Sequence, residues 1–307
     1  MDEGVSHDFR DGERGKYAGR YAGHPTPAEA AAHARWSVHR GWRRSSRLTD
    51  EVLAIEGMSS PKVKCLLNNL CSAPWASYLE VGCWRGSTLC AAAYGNSPGA
   101  VVGIDNYSEA PEGEARDARA ELHRNCARLL TGRGVPSRLI AEDFRSVDPF
   151  TIGPFTVYFY DGAHDADAQR EAFTHMGPAL ADVFVAVVDD WNMRRTRLST
   201  REAFAELGWG RIWETELPAN RNGDLRRWWN GLLVSVIDKR QADIRLMLAA
   251  RGMGPDAVDR WMAAPIERLD GSSLADAVAD GRTELALQTA RDLLSGRGGV
   301  RPPRGHA

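Results

Sequence analysis

From Ala76 to Lys239 short apolar runs alternate with stretches of helical period. The runs are 77–82 (SYLEVG), 100–104 (AVVGI), 137–141 (SRLIA), 156–160 (TVYFY) and 183–188 (VFVAVV). Between them the spacing predicts helices at 87–94, 113–130, 165–178 and 199–207; Ala115, Ala118, Leu122, Cys126 and Leu129 mark the face of the second, and Ser199-x-x-Glu202 reads as the capping box that opens the last. This alternation is the pattern of βαβ units and a parallel sheet. Two further runs, 211–217 and 230–237, flank the turn-rich Ala219-Asn-Arg-Asn-Gly-Asp224 and predict a closing antiparallel hairpin.

The flanks read differently. An Ala-rich helix is expected from Thr26 to Arg44, and a second where Ser60-Pro61 supplies a cap and a first-turn proline ahead of Val63, Leu66, Leu67 and Leu70, ending before Pro74. After Lys239 the strands cease and four short helical segments follow, about 240–251, 255–263, 273–280 and 283–294. The expected organisation is a disordered leader (1–25), N-terminal helices (26–75), an α/β domain (76–238), a helical appendage (239–294) and a disordered Gly/Arg/Pro-rich tail (295–307).

Composition narrows the class without naming it. With 43% hydrophobic and 26% charged residues the chain reads as an ordinary globular protein, and no apolar run approaches the length of a membrane span. A leader that is neither a secretory signal nor an amphipathic transit peptide points to the cytoplasm. A net charge of -2 gives no general reason to expect nucleic acid, Arg40-Gly-Trp-Arg-Arg44 being a local exception. The five cysteines (65, 71, 83, 90, 126) form no CxxC pair and suggest buried free thiols rather than disulfides or zinc.

The first strand-to-helix turn of an open α/β sheet is where a nucleotide should sit. Here it reads Glu80-Val-Gly82-Cys-Trp84-Arg-Gly86-Ser87, a G-x-x-x-G spacing. Trp84 leaves little room for the pyrophosphate that G-x-G-x-x-G turns cradle. This turn resembles the first motif, E/D-x-G-x-x-x-G, of class I S-adenosylmethionine (SAM)-dependent methyltransferases. That resemblance covers about 60–238. It implies a Rossmann-like, doubly wound, seven-stranded and mostly parallel sheet carrying the C-terminal helical appendage. It also implies SAM held by Glu80, Gly82, Trp84, Gly86 and Ser87, with Asp105 at the end of the second strand on the ribose hydroxyls, Asp143 on the adenine amine and Phe144 over the ring.

The fourth strand ends Tyr160-Asp161-Gly-Ala-His164 and the fifth Val188-Asp189-Asp190-Trp-Asn192, at the same rim as the cofactor turn. Like charges so placed raise one another's pKa unless a proton, a cationic side chain or a divalent ion intervenes. The pattern resembles the metal-dependent O-methyltransferases of natural-product sugars (macrocin type) and, more distantly, catechol O-methyltransferases. By that resemblance Asp161, Asp189 and Asp190 would hold Mg²⁺, which would activate an acceptor hydroxyl. Related methyltransferases without metal carry D-G-x-H as well, so Mg²⁺ and a catalytic set of Asp161, His164 and Asp189 both stand, with His164 as base, as orienter or as a packed histidine.

The expected acceptor is a small-molecule or peptide natural product, methylated on oxygen. Trp191, Trp213, Trp228 and Trp229 are candidates for an aromatic wall or for packing, and Asn68 and Asn69 for the cofactor mouth or for helix capping. Residues 260–294 distantly resemble the toxin-binding domain of one group of bacterial antitoxins, which would make 239–294 a surface for a protein partner or a homo-oligomer. Two other readings are a SAM- or nucleoside-binding interaction protein and a methyltransferase-related hydroxylase component.

Overall fold

The computed structural model describes residues 24–109 and 113–295, so the leader and tail expected from sequence fall almost wholly outside the described residues. Seven strands form one sheet: β1 (Tyr78–Val81), β2 (Val101–Ile104), β3 (Arg138–Ile140), β4 (Phe155–Tyr160), β5 (Leu180–Val188), β6 (Gly210–Leu217) and β7 (Leu232–Asp238). Their order is β3-β2-β1-β4-β5-β7-β6. β1 to β5 are mutually parallel, and β7 inserts antiparallel between β5 and β6. The fold is the Rossmann-like, mostly parallel seven-stranded sheet that the sequence predicts.

Strands β1, β2, β4 and β7 are buried at every position, which is why they read as continuous apolar runs rather than alternating ones. Helices α1 (Pro27–Trp42), α2 (Asp50–Leu53), α3 (Pro61–Leu70), α4 (Ser87–Ala93) and α5 (Ala115–Leu129) pack on one face, with Ala34, Leu66, Leu67 and Leu122 in its core. The other face takes α6 (Ala166–Thr174) and α7 (Arg194–Glu206), where Phe173 and Phe204 meet edge to face with centroids 4.8 Å apart.

The caps show how far local pattern decides. Ser60 caps α3 as expected, its hydroxyl accepting from the Val63 N–H, and Thr26 with Glu29 forms a capping box on α1. Ser199 does not cap. Helix α7 starts five residues earlier, at Arg194, and Ser199 lies on its buried face. The chain turns immediately after Asp190, where the Met193 N–H donates to the Asp190 carbonyl, and helical geometry follows at once.

The last four helices, α8 (Arg240–Ala249), α9 (Pro255–Ala263), α10 (Leu274–Ala279) and α11 (Thr283–Ser295), enclose their own core of Ile244, Leu248, Met262, Leu274 and Leu287. They meet the sheet at its β6 edge, through Ile212. Asp238, wholly buried at the end of β7, ties them down: it accepts from the Arg240 guanidinium at 2.9 Å and from the Thr283 hydroxyl at 2.8 Å. No described helix is long and apolar enough to cross a membrane. All five cysteines are buried free thiols.

Candidate active site

Strand order reverses between β1, whose neighbour β2 leads one way, and β4, which leads the other. A cleft opens there, beyond the carboxyl ends of the strands, as such a switch point dictates. Its walls come from the turn after β1 (Gly82, Trp84, Ser87), from Asp105 and Tyr107 after β2, from Asp143 and Phe144 after β3, and from Asp161 and His164 after β4.

The turn after β1 is set by backbone crowding. Gly82 (φ +92°) passes so close to the next strand that an added Cβ would lie 2.0 Å from the Asp161 carbonyl oxygen. At Gly86 (φ +81°) a Cβ would lie 2.6 Å from a Leu122 methyl. The two glycines expected to admit a ligand are thus demanded by the protein's own packing as well. Trp84 is also left-handed (φ +42°), and its N–H donates at 2.6 Å to Asp105, whose other oxygen accepts from the Tyr107 N–H at 2.6 Å. Asp105 therefore locks the turn while still lining the cleft; each carboxylate oxygen has a second lone pair to offer ribose hydroxyls.

Glu80 sits behind this surface and not on the cleft wall. Wholly buried, it accepts from Tyr78 Oη at 2.5 Å and Thr88 Oγ1 at 2.7 Å, and burial pushes its carboxyl up to about 8. Ser87 likewise turns its hydroxyl away, donating to the Ile55 carbonyl at 3.2 Å. Asp143 accepts from Asn106 at 3.1 Å and from the Arg145 N–H at 2.9 Å, and Phe144 lies edge-on to Tyr160 in the second core. The indole N–H of Trp84 is buried and has no acceptor in the protein.

The acidic rim is built differently. One ligating atom from each of Asp161, His164 and Asp190 lies within 4.8 Å of the others. His164 Nε2 is 2.8 Å from Asp190 Oδ2, and Asn230, from the loop before β7, donates to Asp190 Oδ1 at 2.7 Å. The Asp190 hydrogen bond raises the His164 pKa above its ordinary value. Asp189, expected among the metal ligands, stands apart from this trio: Oδ1 accepts from the Asp190 N–H at 2.8 Å, while Oδ2 is buried with no partner. Burial first, then the mutual repulsion of the carboxylates, pushes Asp161 and Asp189 well above the usual carboxylate range. Asp190 is held at φ +56°, a strained conformation for a non-glycine residue.

Several other residues at the site escape sequence reasoning. Gly57, Met58 and Ser59, between α2 and α3, lie across the cleft, and a Cβ on Gly57 would meet Ser87 Cβ at 2.2 Å. Arg85 clamps the cofactor turn to α5 through Glu121 (2.6 Å) and to Glu114 (2.7 Å). Asn230-Gly231 falls inside the last expected strand run, 230–237, whereas β7 starts only at Leu232, and nothing local in the sequence connects Asn230 to Asp190. Asn68 and Asn69 do not reach the mouth: Asn68 donates to the Ala91 and Tyr94 carbonyls and Asn69 to Ser45. Trp191 and Trp228 are buried, and Trp213 and Trp229 pack against the first core.

Residues 79–191 match the model of a family described as a methyltransferase domain. No curated protein matches the chain. Among solved structures, the O-methyltransferase TomG from Streptomyces achromogenes, involved in tomaymycin synthesis and solved with SAM, is 19% identical (TM-score 0.42; 72% of this chain, 93% of that one). An O-methyltransferase from Bacillus cereus in complex with SAH is 16% identical (TM-score 0.41; 67% and 90%). TrmN from Thermus thermophilus is 12% identical (TM-score 0.43; 61% and 51%). The segment that matches the family, residues 79–191, carries the turn after β1, Asp105 and every carboxylate of the rim, so it is this part of the chain that is similar to a methyltransferase domain.

Proposed function

We propose that this enzyme methylates oxygen, and that the acceptor hydroxyl of a small molecule or peptide is deprotonated at the Asp161–His164–Asp190 end of the cleft. The observation that carries this reading is the 2.8 Å contact between His164 Nε2 and Asp190 Oδ2. With the Nε2 proton donated to Asp190, His164 keeps its lone pair on Nδ1 and is oriented by a buried carboxylate, the arrangement a general base requires. The acceptor oxygen attacks the sulfonium methyl carbon, the carbon–sulfur bond breaks to leave neutral S-adenosylhomocysteine, and the hydroxyl proton passes to His164 Nδ1. SAM itself rests on Gly82, Trp84 and Asp105, with Asp143 and Phe144 at the adenine end.

A second reading draws on the unpartnered Asp189 Oδ2 behind three clustered donors. That excess of buried negative charge fits a divalent cation held by Asp161, His164 and Asp190, a set that differs from the Asp161, Asp189 and Asp190 expected for Mg²⁺. Because the set includes an imidazole, it suits a softer divalent ion such as Mn²⁺ better than Mg²⁺, which favours oxygen ligands. Bound there, a cation would supply Lewis-acid activation of the acceptor hydroxyl.

Transfer of a labelled methyl group from SAM to a panel of hydroxylated small molecules and peptides, with added metal or with EDTA, tests both. Transfer that survives EDTA and disappears in His164→Ala supports the base. Transfer abolished by EDTA and restored by Mn²⁺ supports the cation. Transfer only to nitrogen acceptors would overturn the oxygen assignment.

A further inference from the structure

A second concavity, sharing no residue with the cleft, opens between α1 and the β6 edge and encloses about 430 Å³. That lies within the ~300–1,000 Å³ typical of ligand sites. Trp42, Trp213 and Trp228 with Val38 form its walls, and the charged side chains that line it are cationic, Arg35 and Arg227 among them. Lys62 adds a further positive charge from below, its ammonium 3.2 Å from the centre of the Trp42 ring.

These cations are gathered at one place without a carboxylate among them. Arg85, Arg145, Arg170, Arg201 and Arg240 each hold a carboxylate, whereas among the described residues none lies within 4.0 Å of the Arg35, Arg44, Arg227 or Lys62 cation. Their mutual repulsion is felt: burial, then the Arg44 and Arg227 charges, pushes the Lys62 ammonium below its ordinary value, with Asp224 opposing. In a chain of net charge -2 this is a local excess that a binding anion would relieve.

The aromatic faces decide which anion. Lys62 covers one face of Trp42, and Arg35 lies over one face of Trp213 at 5.7 Å, so a nucleic-acid base stacking there would have to displace a cation already on the ring. What remains is an apolar trough rimmed by guanidinium groups, which grip carboxylates as planar forks. We propose that this groove docks an acidic peptide segment, with an apolar side chain in the trough and carboxylates on Arg35 and Arg227.

The groove also communicates with the acceptor end of the cleft. Arg227 and Trp228 belong to the loop between β6 and β7, whose Asn230 donates to Asp190 and whose Ala219 carbonyl accepts from Asn192 at 3.2 Å. The same loop is pinned to the N-terminal helices where Ser60 donates to the Arg227 carbonyl at 2.6 Å. A peptide in the groove therefore lies against the loop that holds Asp190, and we extend the proposal to a peptide-linked hydroxyl as the acceptor. This last step rests on the function proposed above; the docking itself does not.

The test is fluorescence anisotropy with a labelled decapeptide of alternating Glu and Leu, a Lys-for-Glu version and a labelled oligouridine. The Glu peptide should bind, weaken about tenfold or more in Arg35→Glu/Arg227→Glu, and weaken as salt rises from about 50 to 300 mM. It should bind Asp190→Asn as it binds wild type. Unchanged SAM affinity shows that the double variant is folded; should that variant misfold, the milder Arg35→Gln should still weaken the Glu peptide several-fold. Failure of the Glu peptide to bind, equal binding by the charge-reversed protein, or tighter binding of the Lys peptide or the oligouridine would each overturn the proposal. A protein that binds SAM and transfers methyl groups but ignores the peptide loses this inference alone. One that binds the peptide but never transfers to oxygen loses the proposed function alone.

Discussion

The turn after β1 and the rim formed after β4 and β5 face the same cleft, yet they are held in opposite ways. In the turn nearly every buried polar group is answered from within: Tyr78 and Thr88 serve Glu80, and the Trp84 and Tyr107 N–H groups serve Asp105. On the rim, three carboxylates gather with one imidazole, Asp189 Oδ2 has no partner, and burial together with like charge pushes Asp161 and Asp189 upward. The carboxylates of the first region are answered before any ligand arrives, although the Trp84 indole N–H and Arg85 Nε are buried there without an acceptor. The second carries an electrostatic imbalance that a proton, a cation or an acceptor must settle, and perturbed groups of this kind mark the place where chemistry occurs. Binding and catalysis should therefore respond separately to mutation.

The largest effect is expected at Gly82→Ala. Its Cβ would collide with the Asp161 backbone at a left-handed position, so SAM binding should be lost and stability should fall by about 2–4 kcal/mol, read by calorimetric titration and thermal melting. Asp190→Asn should instead lower kcat by about 10²–10³-fold and leave SAM affinity within about twofold, because on the proposed function it removes only the carboxylate that orients His164. Comparable losses in both quantities would erase the contrast between the two regions. Asn230→Ala, which removes one hydrogen bond to that carboxylate, should cost about tenfold in kcat, as loss of about 1.4 kcal/mol implies.

A different kind of effect is a pH dependence inside the turn. Glu80 has its folded-state pKa raised from 4.5 to about 8, so the folded protein binds the extra proton between those values. Its contribution to stability is complete below the unfolded value and is lost as pH rises through the folded one, from about 4.5 to about 8. Glu80→Gln, a permanently neutral replacement, should flatten the fall of Tm across that window and leave SAM binding intact. A Tm profile as steep as wild type would show that Glu80 is charged in the folded state.

The frame of the molecule was legible because its signals are local. Continuous apolar runs marked the buried strands, helical spacing marked the appendage helices, and Ser60-Pro61 marked the start of α3. Where a local signal competed with tertiary geometry it lost: the Ser199 box is swallowed by a helix that begins at Arg194, because the chain must turn directly after Asp190. The site was legible as a set of residue types at strand ends but not as a set of partners. Glu80 carries the motif's acid, yet its burial behind Tyr78 and Thr88 depends on how α4 packs on β1. The replacement of Asp189 by His164 beside Asp161 and Asp190 depends on side-chain directions at two adjacent strand ends. Asn230 reaches Asp190 across 40 residues of chain, and no spacing in the sequence encodes that contact.

One measurement bears most directly on the division between a binding turn and a catalytic rim: calorimetric titration of SAM into wild-type protein and into Asp190→Asn. The account predicts saturable binding well below about millimolar, with dissociation constants for the two proteins within about twofold. Binding no tighter than about millimolar in wild type, or affinity lost by more than about tenfold in Asp190→Asn, would contradict it.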